Sequence, residues 1–157
     1  MVAAVSVYDI VLAVHIMAVV VAFGGLFAYP LLVGAARRVD PRALRALHRA
    51  QQRIIGRLIL PGLIVVVAAG IYLAADHKQF SEFYVQWGFA AFLALGGLFS
   101  GFLAPREGKL AALAERDGGG GGALGDEYDT LSQQVKSVSA LVSLLVLATI
   151  LIMTIKP

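Results

Sequence analysis

Four stretches of this chain are apolar for long enough to cross a bilayer, and that feature restricts the fold more than any other. The hydrocarbon core of a membrane is about 30 Å thick and takes about 20 apolar residues of α-helix to cross. The stretches fall at residues 8–33, 54–75, 83–104 and 135–155. In lipid each backbone N–H and C=O must be bonded within the protein, which a helix achieves segment by segment. The pattern therefore predicts an all-α polytopic membrane protein: one four-transmembrane-helix bundle over residues 1–157, with no space for a separate soluble domain. Charged residues are 15% of the chain, against about 25% in soluble domains. The first run does not read as a cleavable signal, because "MVAAVSVYDI" lacks a positive leading segment.

Placement of the positive charge gives the orientation. The connection over residues 34–53 carries Arg37, Arg38, Arg42, Arg45, Arg49 and Arg53, with Arg57 just beyond it. The connection over 105–134, continued by Lys136, carries Arg106, Lys109 and Arg116. The short connection "DHKQFSE" carries only Lys78 besides its histidine. This places the two long loops in the cytoplasm and both termini outside, in the plasma membrane.

Within the first loop, Asp40 and Pro41 mark a helix start, an N-cap followed by a residue that needs no N–H. Leu44, Leu47, Ile54 and Leu58 then fall on one side and the arginines on another, so this helix should feed directly into the second span. Pro61 should bend that span near its cytoplasmic end. In the second loop, "REGKLAALAERD" continues the third helix, and the glycine run Gly118–Gly122 reads as flexible chain. Asp129 or Ser132 can cap the fourth helix, and the acids Asp117, Asp126, Glu127 and Asp129 lie on the same side as the arginines.

"GGLF" occurs twice, at Gly24–Phe27 and Gly96–Phe99. A shift of 72 residues superposes the copies and sets Trp87 opposite His15, as expected of two duplicated helical hairpins. Gly24, Gly25, Gly96 and Gly97 are the expected helix-packing positions, since small residues let helices approach closely in lipid.

His15 is the leading candidate for chemistry. It lies about 10 Å inside the first span at 1.5 Å per residue, where polar groups face the bundle interior or a cavity. Tyr8, His15 and Tyr29 share a helical stripe and should face inward. Two roles suit His15: ligation of haem or proton handling, and a neutral hydrogen bond to Ser143 or Tyr84 of a facing helix. His48 and His77 read as interfacial residues, Asp9 and Asp76 as solvated helix ends, and Phe80, Phe83, Tyr84 and Trp87 as an outer aromatic belt. Arg45, Arg49, Arg53 and Arg57 form a stripe suited to anionic lipid headgroups or an acidic partner, with Arg57 also able to bond carbonyls freed at Pro61. Metal ligands at dedicated spacing, cysteines, paired carboxylates and a phosphate loop are all missing from the sequence, which points away from an enzyme. The basic segment has no interleaved aromatics, which argues against nucleic acid.

The stretch "HIMAVVVAFGGLFAYP" resembles the first helix of the CopD-like group, which includes the HemJ-type protoporphyrinogen IX oxidases, through His15, Gly25-Leu26-Phe27 and Pro30. Arg53, Pro61 and Gly70 are similar to the pattern of the second helix in that group. This likeness implies a haem-associated role for His15. The "aRR-x-DP" loop at Ala36–Pro41 and the "PG…GiYL" helix at Pro61–Leu73 also resemble a small bacterial family of four-helix integral membrane proteins, which implies architecture alone. Three functional expectations follow. The first is a structural or accessory component that forms a homo-oligomer or binds a membrane partner. The second is a haem-associated or redox protein using His15. The third is a small transporter or pore-forming oligomer.

Overall fold

A computed structural model describes residues 5–40, 42–118 and 124–156, and these are helical apart from short turns, with no strand among them. Pro41 and residues 119–122 of the glycine run lie outside the described residues. The helices, in order, are α1 (Val7–Phe23), α2 (Tyr29–Val39), α3 (Ala43–Ile54), α4 (Leu60–Asp76), α5 (Phe83–Gly97), α6 (Ala104–Gly118) and α7 (Asp126–Ile155). A π-helical segment, Ile55–Ile59, joins α3 to α4, and another, Leu98–Leu103, joins α5 to α6. Three continuous helices are long and apolar enough to cross a membrane: Ala43–Asp76, Phe83–Asp117 and Asp126–Ile155. Val7–Phe23 is apolar but shorter.

The first apolar run is thus two helices rather than one. Ser6 opens α1 with a capping box, its hydroxyl accepting from the Asp9 N–H while the Asp9 carboxylate accepts from the Ser6 N–H. The helix then stops, and residues 24–28 form turns before α2 starts at Tyr29-Pro30. A Cβ on Gly24 would stand 2.6 Å from the Val20 carbonyl oxygen, so the turn requires glycine there.

Proline explains the other irregularities. Its ring lacks an N–H and clashes with the carbonyl four residues earlier. Each π segment ends two residues before a proline: Leu60 N–H bonds the Ile55 carbonyl ahead of Pro61, and Ala104 N–H bonds the Phe99 carbonyl ahead of Pro105. The wider turn carries the obstructing carbonyls of Arg57 and Gly101 off the proline rings. The chain therefore absorbs Pro61 by local widening, and the helix continues from Ala43 to Asp76.

Packing follows chain order. α1 lies along α4, α5 along α7, and α4 meets α5. Beyond them α3 packs along α6, with α2 against α3 and the start of α7 against α6. Phe99, Leu44, Ile55, Ile59 and Val142 are fully buried at the centre. Within the chain the helices close at Gly62, where a Cβ would be 3.0 Å from Ala22, at Gly70 against His15, and at Gly88 against Met153. A Cβ on Gly25 or Gly97 would meet nothing within 4 Å, and one on Gly96 would make only ordinary contact with Leu63. The two "GGLF" copies differ in form: the first breaks a helix, and the second enters a π segment.

The repeat has a clearer counterpart in hydrogen bonding. His15 Nδ1 bonds the Val66 carbonyl at 2.8 Å and ties α1 to α4. Trp87 Nε1 donates to Thr149 Oγ1 at 3.1 Å and ties α5 to α7. The residues superposed by the 72-residue shift each provide a polar cross-link within their own hairpin.

Candidate functional site

Where α2, α3, α6 and α7 converge at the arginine-rich end, four titratable side chains form one enclosed network. Three arrive on apolar stripes of their helices. His48 follows Leu44 and precedes Gln51, Ile55 and Ile59, all buried at helical spacing. Glu107 follows Leu103 and precedes Leu110 and Ala114. Tyr128 begins the buried series Ser132, Val135, Ser139, Val142 and Val146. Tyr29 enters from the first residue of α2, set by the break at residues 24–28. His48 and Glu107 are each 1% exposed and Tyr128 is 0% exposed.

The geometry dictates where the protons sit. Tyr29 donates its hydroxyl hydrogen to Glu107 Oε2 at 2.6 Å. With that hydrogen used, Tyr29 Oη accepts from His48 Nδ1 at 2.8 Å, and the same Nδ1 lies 2.6 Å from Glu107 Oε2. Nδ1 therefore carries the imidazole hydrogen, an assignment made from the network. Nε2 faces Tyr128 Oη at 2.8 Å. A phenol holds its proton at neutral pH, so Tyr128 donates to the unprotonated Nε2; on an imidazolium the direction reverses. A carboxylate orienting an imidazole whose far nitrogen holds a hydroxyl is acid–base geometry, but here every member is sealed from solvent.

Around this centre, exposed ion pairs bind the same helices. Arg37 reaches Asp129 at 2.6 Å, and Arg45 and Arg49 reach Glu115 at 2.9 and 3.0 Å. Lys109 and Arg116 both bond Glu127 and hold its carboxyl below the usual carboxylate range, and Arg116 with the Gly125 N–H does the same for Asp117. Asp129 is thus a salt-bridge partner and Ser132 a buried residue; neither caps α7, whose N-cap is Gly125. Asp40 accepts from the Arg42 N–H at 3.0 Å but is not the N-cap of α3, which is Arg42 with no side-chain cap bond. Arg53 and Arg57 are exposed and have no ion-pair or hydrogen-bond partner among the described side chains.

The other sequence candidates are dispersed. His15 is half-buried, and its partner is the Val66 backbone rather than Ser143 or Tyr84. Ser143 bonds the Ser139 carbonyl, and the buried Tyr84 hydroxyl has no partner among the described residues. Tyr84 is therefore interior, while Phe80 and Phe83 are exposed and Trp87 is half-buried against Thr149. Tyr8 rests edge-on against His77, with ring centroids 4.6 Å apart. Tyr8 and His15 both face α4, whereas Tyr29, beyond the helix break, belongs to the His48 network. His48 itself is no interfacial residue.

A haem ligand needs one ring nitrogen anchored and the other facing the iron. His15 meets the first condition through Val66. Its ring lies against Gly70, and neither described cavity borders it. The His15 ring is thus held between α1 and α4, with Nδ1 engaged by a backbone carbonyl. No cluster of three metal-ligating side chains occurs among the described residues.

Residues 9–157 match a family model described as a predicted integral membrane protein, DUF2269. No curated protein and no solved structure matches the chain, so the likeness to the CopD and HemJ-type proteins gains no support.

Proposed function

Because the chain belongs to the DUF2269 family of predicted integral membrane proteins, we propose that it is a structural or accessory component of the membrane: a rigid helical frame that self-associates or holds a partner. The observation that carries this reading is the Tyr29–His48–Glu107–Tyr128 network. It joins four helices, its members bond one another, and it is closed to solvent. Such a network sets the register of the helices it joins. Catalysis or proton transfer would require a path from this centre to water.

In this reading the arginine-rich end faces the cytoplasm of the plasma membrane and both termini face outward, in keeping with the positive charge of residues 37–57. The chain has no cysteine, so single cysteines report topology directly. Ser6→Cys is expected to react with an impermeant maleimide on intact cells, and Arg42→Cys only after permeabilisation. The opposite pattern would reverse the orientation.

Amide hydrogen exchange in lipid nanodiscs tests the frame. Amides of α3 and α6 beside His48 and Glu107 are expected to exchange as slowly as those in the middle of α7, because slow exchange marks segments that open only with the whole fold. Fast exchange confined to the network layer would overturn the frame in favour of a site that opens to water.

A further inference from the structure

The three backbone irregularities lie at one level of the molecule. Phe23, where α1 ends, stacks on Phe99 of the second π segment with ring centroids 6.2 Å apart. The two π segments touch each other, and the first also touches α1. Among the described residues, every helix that passes this level is interrupted there except α7, which runs unbroken from Asp126 to Ile155. α7 has weak points of its own between Tyr128 and Thr149. Ser137 Oγ donates to the Gln133 carbonyl at 3.1 Å, and Ser143 Oγ to the Ser139 carbonyl at 2.9 Å. Such back-bonding loosens a helix and lets it bend.

The level divides the packing into two blocks. On one side α1, α4, α5 and the end of α7 are tied by His15 to Val66 and by Trp87 to Thr149. On the other, α2, α3, α6 and the start of α7 form a head, tied by the His48 network and by the Arg37–Asp129 and Arg49–Glu115 pairs. Contact between the blocks runs mainly through the π segments and α7. α1 and α3 do not close on each other. An apolar slot of about 230 Å³ separates Val21, Ala22 and Gly25 from Leu47, Ala50 and Ile54.

Bending of a membrane helix concentrates where its hydrogen-bond ladder is already disturbed, because elsewhere it would expose paired groups to lipid. Pro61 and Pro105 each withhold one N–H from the ladder at this level. We infer that the level is a hinge: the four-helix head rocks as a unit on α7 against the membrane block, and the slot between α1 and α3 narrows and widens as it moves. A few element-terminal residues absorbing the motion of two packed blocks is the usual form of hinge closure. The hinge rests on the frame reading, since it takes the head to be rigid.

The chain has no cysteine, so pairs of nitroxide labels in nanodiscs, read by double electron–electron resonance, test the motion. Ala35→Cys with Ala112→Cys measures within the head, from α2 to α6. Ala68→Cys with Ala112→Cys measures across the level, from α4 to α6. All three alanines are exposed. The cross-level distance distribution is expected to be about twice as wide as that of the head, or split in two, since freezing traps the states of a microsecond-to-millisecond motion. Pro61→Ala with Pro105→Ala restores the missing N–H groups, and Ala50→Trp fills the slot; each should narrow the cross-level distribution to the width found in the head. If one of these variants fails to fold by circular dichroism, the other carries the test. A cross-level distribution that stays wide in the folded variants overturns the hinge. So do equal widths in the wild type: equal and narrow leave the frame standing, and equal and wide remove the frame as well.

Discussion

Glu107→Ala is expected to destabilise the folded protein by about 2–5 kcal/mol, from the loss of a buried hydrogen-bond acceptor together with the cavity its side chain leaves. The carboxylate accepts from both Tyr29 and His48 at 2.6 Å, and at 1% exposure no water replaces it. Its removal leaves the Tyr29 hydroxyl hydrogen unbonded and His48 Nδ1–H with Tyr29 Oη alone, and opens a cavity where α3, α6 and α7 meet. Glu107→Gln keeps an acceptor for Tyr29 but sets an amide or a weaker acceptor against His48, so a loss of about 1–3 kcal/mol is expected. Unfolding in mixed micelles, followed by far-ultraviolet circular dichroism, measures both. A Glu107→Ala protein within about 0.5 kcal/mol of wild type, the range of ordinary surface changes, would show that the network does not hold the helices.

The membrane character of the fold was plain from the sequence because hydropathy reports burial away from water. It does not distinguish the bundle interior from lipid, since lipid tails are as apolar as leucine. This explains a specific misreading. Leu44, Leu47, Ile54 and Leu58 share an apolar face by spacing, yet the interior face carries Leu44, His48, Gln51, Ile55 and Ile59, with Ile54 and Leu58 outward. Within a lipid-facing helix the polar residues are the better guide to the inside. His48 falls four residues after Leu44 and seven before Ile55, and that placement was the available signal. Glu107 gave a similar one between Leu103 and Leu110.

Other features could not be read from one dimension. Tyr29 joins the network only because residues 24–28 break a run that hydropathy presents as continuous. Tyr128 reaches His48 from 80 positions away, on the far side of the glycine run. Pro61, by contrast, was legible as an irregularity, and Pro30, Pro61 and Pro105 each stand two residues after the end of a non-α segment. What the chain does with each irregularity, a turn in one case and π segments in two, depends on how the neighbouring helices pack.

Replacing the whole network with apolar groups should have an effect opposite to breaking it. In Tyr29→Phe, His48→Leu, Glu107→Leu, Tyr128→Phe no buried donor or acceptor of the network remains unbonded. Buried polar clusters replaced by well-packed hydrophobes are commonly neutral or stabilised by about 1–4 kcal/mol. The quadruple variant is therefore expected to unfold no earlier than wild type, although the single Glu107→Ala variant unfolds far earlier. Non-additivity of this size is the signature of groups acting as one unit. The frame reading adds a second expectation, loss of register. The Arg49 and Glu115 side chains meet at 3.0 Å across α3 and α6, so Arg49→Cys with Glu115→Cys should be bridged readily by a short bifunctional thiol cross-linker in the native background. In the apolar background, leucine contacts without direction let α3 slide on α6, and the same pair should cross-link more slowly and with neighbouring positions as well. An apolar variant as stable as wild type that cross-links with unchanged rate and selectivity would assign the network no part in alignment, and the frame would then rest on hydrophobic packing and the ion pairs between its helices, such as Arg37–Asp129.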